Sequence, residues 1–242
     1  MSFLEEPLPR IACFHGGGST ASIFNVQSEQ LIKLLSNTFS FVFFDAPFER
    51  DAGPGVLPIF TYEKYGPYRA WFARSKEGIE RGDGRDEDGK GEGGVERALR
   101  LIAEEGGEGE WVGVMGFSQG TRVVGGILLD QQRRKKMGLP RAEGDLDFKF
   151  GILCMGASAP MVSDVVHASL SEDLITIPTL HLHGTKDLNY ENGKKQLEAY
   201  YDQSTATVWD IAYHHAMPWY RADVLKFVEM IRKLYADTKG NV

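Results

Sequence analysis

A chain of 242 residues with 42% hydrophobic and 25% charged residues has the make-up of an ordinary soluble globular protein, long enough for one large α/β domain. No composition shift marks a boundary, so residues 1–242 are read as a single domain. A net charge of −7 argues against a general affinity for nucleic acid or an anionic membrane. The chain also lacks a secretory-type leader pattern and any apolar run of membrane-spanning length, so a cytoplasmic location is expected.

The first apolar run, Arg10 to Phe14, breaks at His15-Gly16-Gly17-Gly18. Ser19-Thr20-Ala21-Ser22 then offers caps for a helix reaching about Leu35. Phe39 to Phe44 reads as a second buried strand, closed by Asp45-Ala46-Pro47. These runs are continuous rather than alternating, which predicts strands covered on both faces and hence a mostly parallel sheet between helix layers. Phe48 to Phe72 is irregular and aromatic, and Lys76 to Gly94 is mostly glycine and charge. Together, residues 48–94 are expected to form a small cap or flexible insertion, with the charged part a mobile surface loop.

Val95 to Glu105 has helical spacing and leads to the apolar run Val112 to Phe117. A helical segment follows Ser118 and ends in Arg133-Arg134-Lys135-Lys136. Strands are then predicted at Phe148 to Met155, Thr179 to His183 and Ala206 to Ile211, with helices at Asn189 to Tyr201 and Trp219 to Tyr235. Strands alternating with helices predict a mostly parallel α/β sheet whose ligand site lies at the strands' carboxyl ends. Cys13 and Cys154 fall within apolar strands and read as reduced, buried thiols.

The chemistry gathers at those strand ends. Gly116-Phe117-Ser118-Gln119-Gly120 has the spacing of a nucleophile elbow, in which a serine sits on a strand-to-helix turn too tight for bulky neighbours two residues away. An alcohol is a poor nucleophile at neutral pH, so Ser118 needs a base and a group that orients the base. Asp187 follows the fifth predicted strand and the imidazoles of His214 and His215 follow the last. The order serine, aspartate, histidine is that of an α/β-hydrolase fold. In the glycine loop after the first strand, the Gly17 N–H is expected to act with the Gln119 N–H as an oxyanion hole, with Gly18 alongside at the substrate. The chemistry needs no cofactor.

His15-Gly16-Gly17-Gly18, Asp45-Ala46-Pro47, Gly116-Phe117-Ser118-Gln119-Gly120, His183-Gly184-Thr185-Lys186-Asp187 and His215-Ala216-Met217-Pro218 together resemble the fungal family of serine hydrolases, across nearly the whole chain. The resemblance implies an α/β-hydrolase fold with Ser118, Asp187 and His215 as its triad, because the family's base lies three residues before the proline. The chain departs from the family in having His214 where glycine is usual, and in an expanded segment at 76–94. The implied activity is hydrolysis of a carboxylic ester or thioester. Members with an N-terminal His-Gly-Gly-Gly resemble trans-acting thioesterases that release polyketide chains, which makes an acyl carrier protein a potential partner. A carboxylesterase or an acyltransferase would use the same residues, and a non-catalytic relative would have lost one of them.

The remaining candidates have plainer readings. His181 and His183 alternate on a strand but lack a matching ligand cluster, so buried histidines are expected there rather than a metal site. Asp45 is read as a loop brace, Asp210 as pointing away from the site and His167 as a surface residue. The aromatics from Phe60 to Phe72 mostly pack the cap, with Tyr65 and Trp71 expected to wall the acyl pocket. The basic run at 133–136 suits a helix C-terminus. A carrier-docking role for it predicts that charge reversal raises KM for carrier-bound thioesters and not for free ones.

Overall fold

Apolar runs and amphipathic stretches alternate along the chain, and strands and helices follow them closely. The computed structural model describes residues 6–75, 78–165 and 173–239. The elements are β1 (Arg10–Phe14), α1 (Ala21–Gln27), α2 (Glu29–Leu35), β2 (Ser40–Phe44), β3 (Phe48–Glu49), α3 (Tyr62–Tyr65) and β4 (Arg69–Ala70). They continue with α4 (Gly94–Glu104), β5 (Trp111–Phe117), α5 (Gly120–Met137), β6 (Phe150–Cys154), β7 (Thr179–Gly184), α6 (Tyr190–Tyr200), β8 (Ala206–Ile211) and α7 (Arg221–Lys239).

Six strands form one sheet in the order β2-β1-β5-β6-β7-β8, and every neighbouring pair is parallel. The interior strands have two covered faces, and their side chains divide between them. Ile11 and Cys13 pack with Phe24, Leu35, Phe227 and Ile231 on the side of α1, α2 and α7. Ala12 and Phe14 pack with Val123, Ile127 and Leu197 on the side of α4, α5 and α6. This division explains the unbroken apolar runs. Cys13 and Cys154 are buried free thiols. Among the described residues, no helix is long and apolar enough to cross a membrane.

Three local expectations are corrected. The helix predicted to run to Leu35 is two helices. Thr20 caps α1, accepting the Ile23 N–H at 3.2 Å, but Ser28 leaves helical geometry at φ −99°, ψ 2° and divides it from α2. The second strand is an edge strand rather than a buried one. With β1 on one side only, β2 leaves Ser40 exposed and Phe41, Val42 and Phe43 half-buried.

The charged insertion also differs from the expected mobile loop. Residues 78–93 are tied to the body rather than hanging free: Val162 N–H donates to the Gly82 carbonyl at 2.9 Å, and Arg85 pairs with Asp164 at 2.5 Å. Arg97 of α4 donates to the Gly84 carbonyl at 3.1 Å. Gly84 itself has φ +65°, and a Cβ there would meet Gly94 Cα at 2.9 Å. Its glycine therefore serves close packing, and the neighbouring charges pair with one another. In the rest of the insertion, β3 and β4 form a short antiparallel ribbon, and Val56, Phe60, Tyr68 and Tyr65 pack with Ile23 as a small satellite core.

Candidate active site

The interior strand β5 delivers its last residues beside those of β1, since Phe14 pairs with Gly116, and beside β6, since Phe117 pairs with Cys154. The chain then turns sharply at Ser118, whose φ of 51° is a left-handed value rarely adopted by a non-glycine residue. Its N–H donates to the Cys154 carbonyl at 2.8 Å, and its carbonyl accepts the Thr121 hydroxyl at 2.7 Å. The flanking glycines are sterically required. A Cβ on Gly116 would lie 2.4 Å from the Gly120 oxygen, and one on Gly120 would lie 2.0 Å from the Phe14 oxygen. Ser118 thus stands half-buried at the N-terminus of α5, where the helix dipole favours negative charge.

Two loops at neighbouring strand ends are fastened together next to the elbow. After β7, Lys186 N–H donates to the Tyr213 carbonyl at 3.0 Å, and the loop beyond β8 packs so closely that a Cβ on Gly184 would lie 2.6 Å from that same oxygen. This brings Asp187 Oδ2 to 2.5 Å from His215 Nδ1, while Asp187 Oδ1 accepts the Asn189 N–H at 2.9 Å. The Asp187 side chain is 4% exposed and that of His215 is 25% exposed. Because an ionised carboxylate only accepts, Nδ1 carries the proton and Nε2 keeps its lone pair. The ring lies 5.1 Å from that of Phe117, centroid to centroid, which places it beside the elbow. Ser118 Oγ forms no hydrogen bond with the ring among the described residues, a contact that often tightens only with substrate bound. His214 is exposed and turns its Nδ1 to the Lys186 carbonyl at 2.9 Å. Of the two imidazoles, His215 is the one in contact with the Asp187 carboxylate.

The glycine loop is braced from beneath. His15 is fully buried, with Nδ1 2.7 Å from the Gly16 carbonyl and Nε2 accepting the Ala46 N–H at 3.0 Å. Burial holds its pKa down to about 4, outweighing the Gly16 hydrogen bond and Asp45, so the ring is neutral. The half-buried Gly17 and Gln119 leave their N–H groups without a protein acceptor among the described residues. The Gln119 side chain lies against Gly17, where a Cβ would sit 3.1 Å from the amide carbon. Its Oε1 accepts the Trp71 N–H at 2.8 Å, and its Nε2 donates to Glu80 at 3.0 Å. Glu80 and its arginine partners, Arg50 and Arg122, gave no signal in the sequence. Nothing in its Gly-rich, charged surroundings distinguishes Glu80 from the exposed Glu87 or Asp88.

Of the remaining candidates, Trp71 joins this arrangement through its N–H to the Gln119 side chain, and Gly18 follows Gly17 in the loop. Gly18 bonds through its N–H to Arg69 and through its carbonyl to Gly53, both at 2.8 Å. Trp71 is 2% exposed, with Nε1 donating to the His15 carbonyl at 2.9 Å and its ring edge-on to Phe14. Tyr65 stacks edge-on with Phe60 at 5.1 Å in the satellite core. Gly18 is thus held by backbone hydrogen bonds, Tyr65 packs on Phe60, and Trp71 packs on Phe14 with little of its surface exposed. Asp45 accepts the Ala21 N–H at 2.8 Å and braces α1, and Asp210 faces His183 and Tyr190 rather than His215. His181 is buried against Tyr201, and burial lowers its pKa to about 3. His167 lies outside the described residues.

Residues 4–226 match the family model described as Serine hydrolase (FSH1). Esterase citA of Monascus ruber is 32% identical over 256 residues, covering 96% of this chain and 94% of its own length. Esterase claE of Penicillium crustosum is 31% identical over 255 residues, covering 96% and 94%. Among solved structures, acyl-protein thioesterase 2 of Zea mays matches with a TM-score of 0.59 at 14% identity, over 96% of this chain and 95% of that one. A carboxylesterase of Mesorhizobium loti matches with a TM-score of 0.56 at 13% identity, over 94% and 90%. At such identities the structural matches speak for the fold alone, and that fold is the α/β-hydrolase fold. With the family matched across most of its length, the chain belongs to the FSH1 serine hydrolase family and is a hydrolase.

Proposed function

We propose that the enzyme cleaves a carboxylic thioester or ester through an acyl-enzyme on Ser118, and that its preferred substrate is an acyl or polyketide thioester presented by a carrier protein. The observation that carries this reading is the 2.5 Å contact between Asp187 and His215 beside the strained Ser118 turn. His215 Nε2 takes the Ser118 hydroxyl proton as Oγ bonds to the carbonyl carbon, and the carbonyl electron pair moves onto oxygen. The N–H groups of Gly17 and Gln119 stabilise that oxyanion, each donor being worth about 3 kcal/mol of barrier. Collapse expels the thiol or alcohol, protonated by His215. Water then attacks the acyl-enzyme with the same base, releasing the acid and restoring Ser118. Asp187 holds the ring in the tautomer this sequence needs and steadies the imidazolium.

The esterase names of its relatives support the ester-type bond, and the thioester preference rests on the resemblance of the N-terminal glycine loop. A turnover panel tests it. Acyl thioesters and matched oxygen esters of increasing chain length are compared, with acids identified as products. Higher kcat/KM on the thioesters is expected. A consistent preference for the oxygen esters would overturn the thioesterase part of the proposal.

A further inference from the structure

Glu80 belongs to the insertion whose composition predicted a solvated loop, yet its side chain is only 23% exposed and reaches the residue that follows Ser118. Oε1 accepts from Arg50 Nη1 at 2.7 Å and from Gln119 Nε2 at 3.0 Å, and Oε2 accepts from Arg122 Nη1 at 3.1 Å. Arg74 Nε approaches at 3.8 Å. Both close arginines are themselves anchored. Arg50 donates to the Phe72 carbonyl at 2.8 Å, and Arg122 donates to the Ala159 carbonyl at 2.9 Å and lies 3.8 Å over the Phe72 ring. A carboxylate held by two fixed guanidinium groups has little freedom to move.

The Gln119 amide is fixed at both ends, by the Trp71 N–H on its oxygen and by Glu80 on its nitrogen. An amide oriented by one donor and one acceptor cannot flip without breaking both bonds. Between these anchors its flat face rests on Gly17. The side chain therefore joins the two backbone segments whose N–H groups lack protein acceptors among the described residues. We infer that Glu80 is a positioning residue: through the Gln119 side chain it sets the spacing and direction of the Gly17 and Gln119 N–H donors that receive the oxyanion. This inference rests on the acyl-enzyme reading above.

The test uses the full-length enzyme with Glu80→Ala, Glu80→Gln, Gln119→Met and the double variant Glu80→Ala/Gln119→Met. Turnover of a p-nitrophenyl ester is read together with the rate and end-point of fluorophosphonate labelling. Losing the alignment of an oxyanion donor should lower kcat by about 10- to 100-fold in Glu80→Ala, with KM within about twofold. Labelling slows in parallel but still reaches one adduct per chain. Glu80→Gln keeps an acceptor for Gln119 and loses the ion pairs, so its kcat falls between wild type and Glu80→Ala. If Glu80→Ala does not fold, Glu80→Gln alone must show a lowered kcat at unchanged KM. Because Glu80 acts through Gln119, adding Glu80→Ala to Gln119→Met should lower kcat by less than about twofold further. Unchanged kcat in the Glu80 variants, a loss confined to KM, or losses that multiply in the double variant would each overturn the inference. A Ser118→Ala enzyme that still labels would instead overturn the reading beneath it.

Discussion

Both oxygens of the Asp187 carboxylate are occupied, one by the Asn189 N–H and the other by His215 Nδ1, so the imidazole has a single orientation in which Nε2 is the free base. His214, one residue earlier, spends its ring nitrogen on the Lys186 carbonyl and fastens one loop to the other. The two histidines should therefore separate cleanly in kinetics. His215→Ala is expected to lower kcat by about a thousandfold or more, whereas His214→Asn should stay within about threefold of wild type. Steady-state turnover of one ester by the two variants checks this, and equal losses would argue against the assignment. The sequence alone offered both imidazoles and no geometric reason to prefer either. The family resemblance pointed to His215, and the Asp187 contact supplies the physical reason.

At the scale of elements, the sheet was largely legible because each interior strand must be apolar on both faces, and such runs cannot be placed otherwise. Strand β5 and the turn after it were legible for a second reason, since only glycine fits where carbonyl oxygens approach so closely. Gly120→Ala should cost about 3 kcal/mol or more, because its Cβ would fall 2.0 Å from the Phe14 oxygen. Gly138→Ala, at φ 65° with no atom within 4 Å, should cost only about 1 kcal/mol. Urea unfolding midpoints of the two variants measure the contrast. What remained illegible was long-range. Ser28 breaks a helix whose apolar spacing continues across it, and β2 carries the same apolar run as an interior strand although it has one neighbour. The ion pairs of Glu80 join segments 30 and 42 residues apart, a relationship that no local pattern encodes.

Over the whole molecule, charge placement has consequences for stability and for partners. His15, His181 and His183 are buried and neutral, the first two with values held down to about 4 and about 3, each chiefly by burial. A histidine depressed in the folded state contributes stability that is present above its unfolded value of about 6.5 and is lost as pH falls toward the folded value. For His15 the difference corresponds to about 3 kcal/mol. Tm should therefore fall steadily between pH 6.5 and 4, and a Tm that is flat across this window would contradict the burial of these rings as neutral species. The basic run lies at the far end of α5, about 23 to 27 Å along the helix from Ser118 at 1.5 Å per residue. Arg134 pairs there with Asp130 and Lys136 with Asp173. A carrier bound at that end would sit across the sheet from the nucleophile, so Lys135→Glu should leave KM for a carrier-bound thioester unchanged.

In the proposed reaction Ser118 is the nucleophile that the sheet, the loops and the turn present. Intact-protein mass spectrometry after fluorophosphonate treatment, with peptide mapping of the adduct, tests it most directly. One adduct per chain is predicted, located on Ser118, absent from Ser118→Ala and strongly slowed in His215→Ala. An adduct on another residue, or undiminished labelling of Ser118→Ala, would contradict the account.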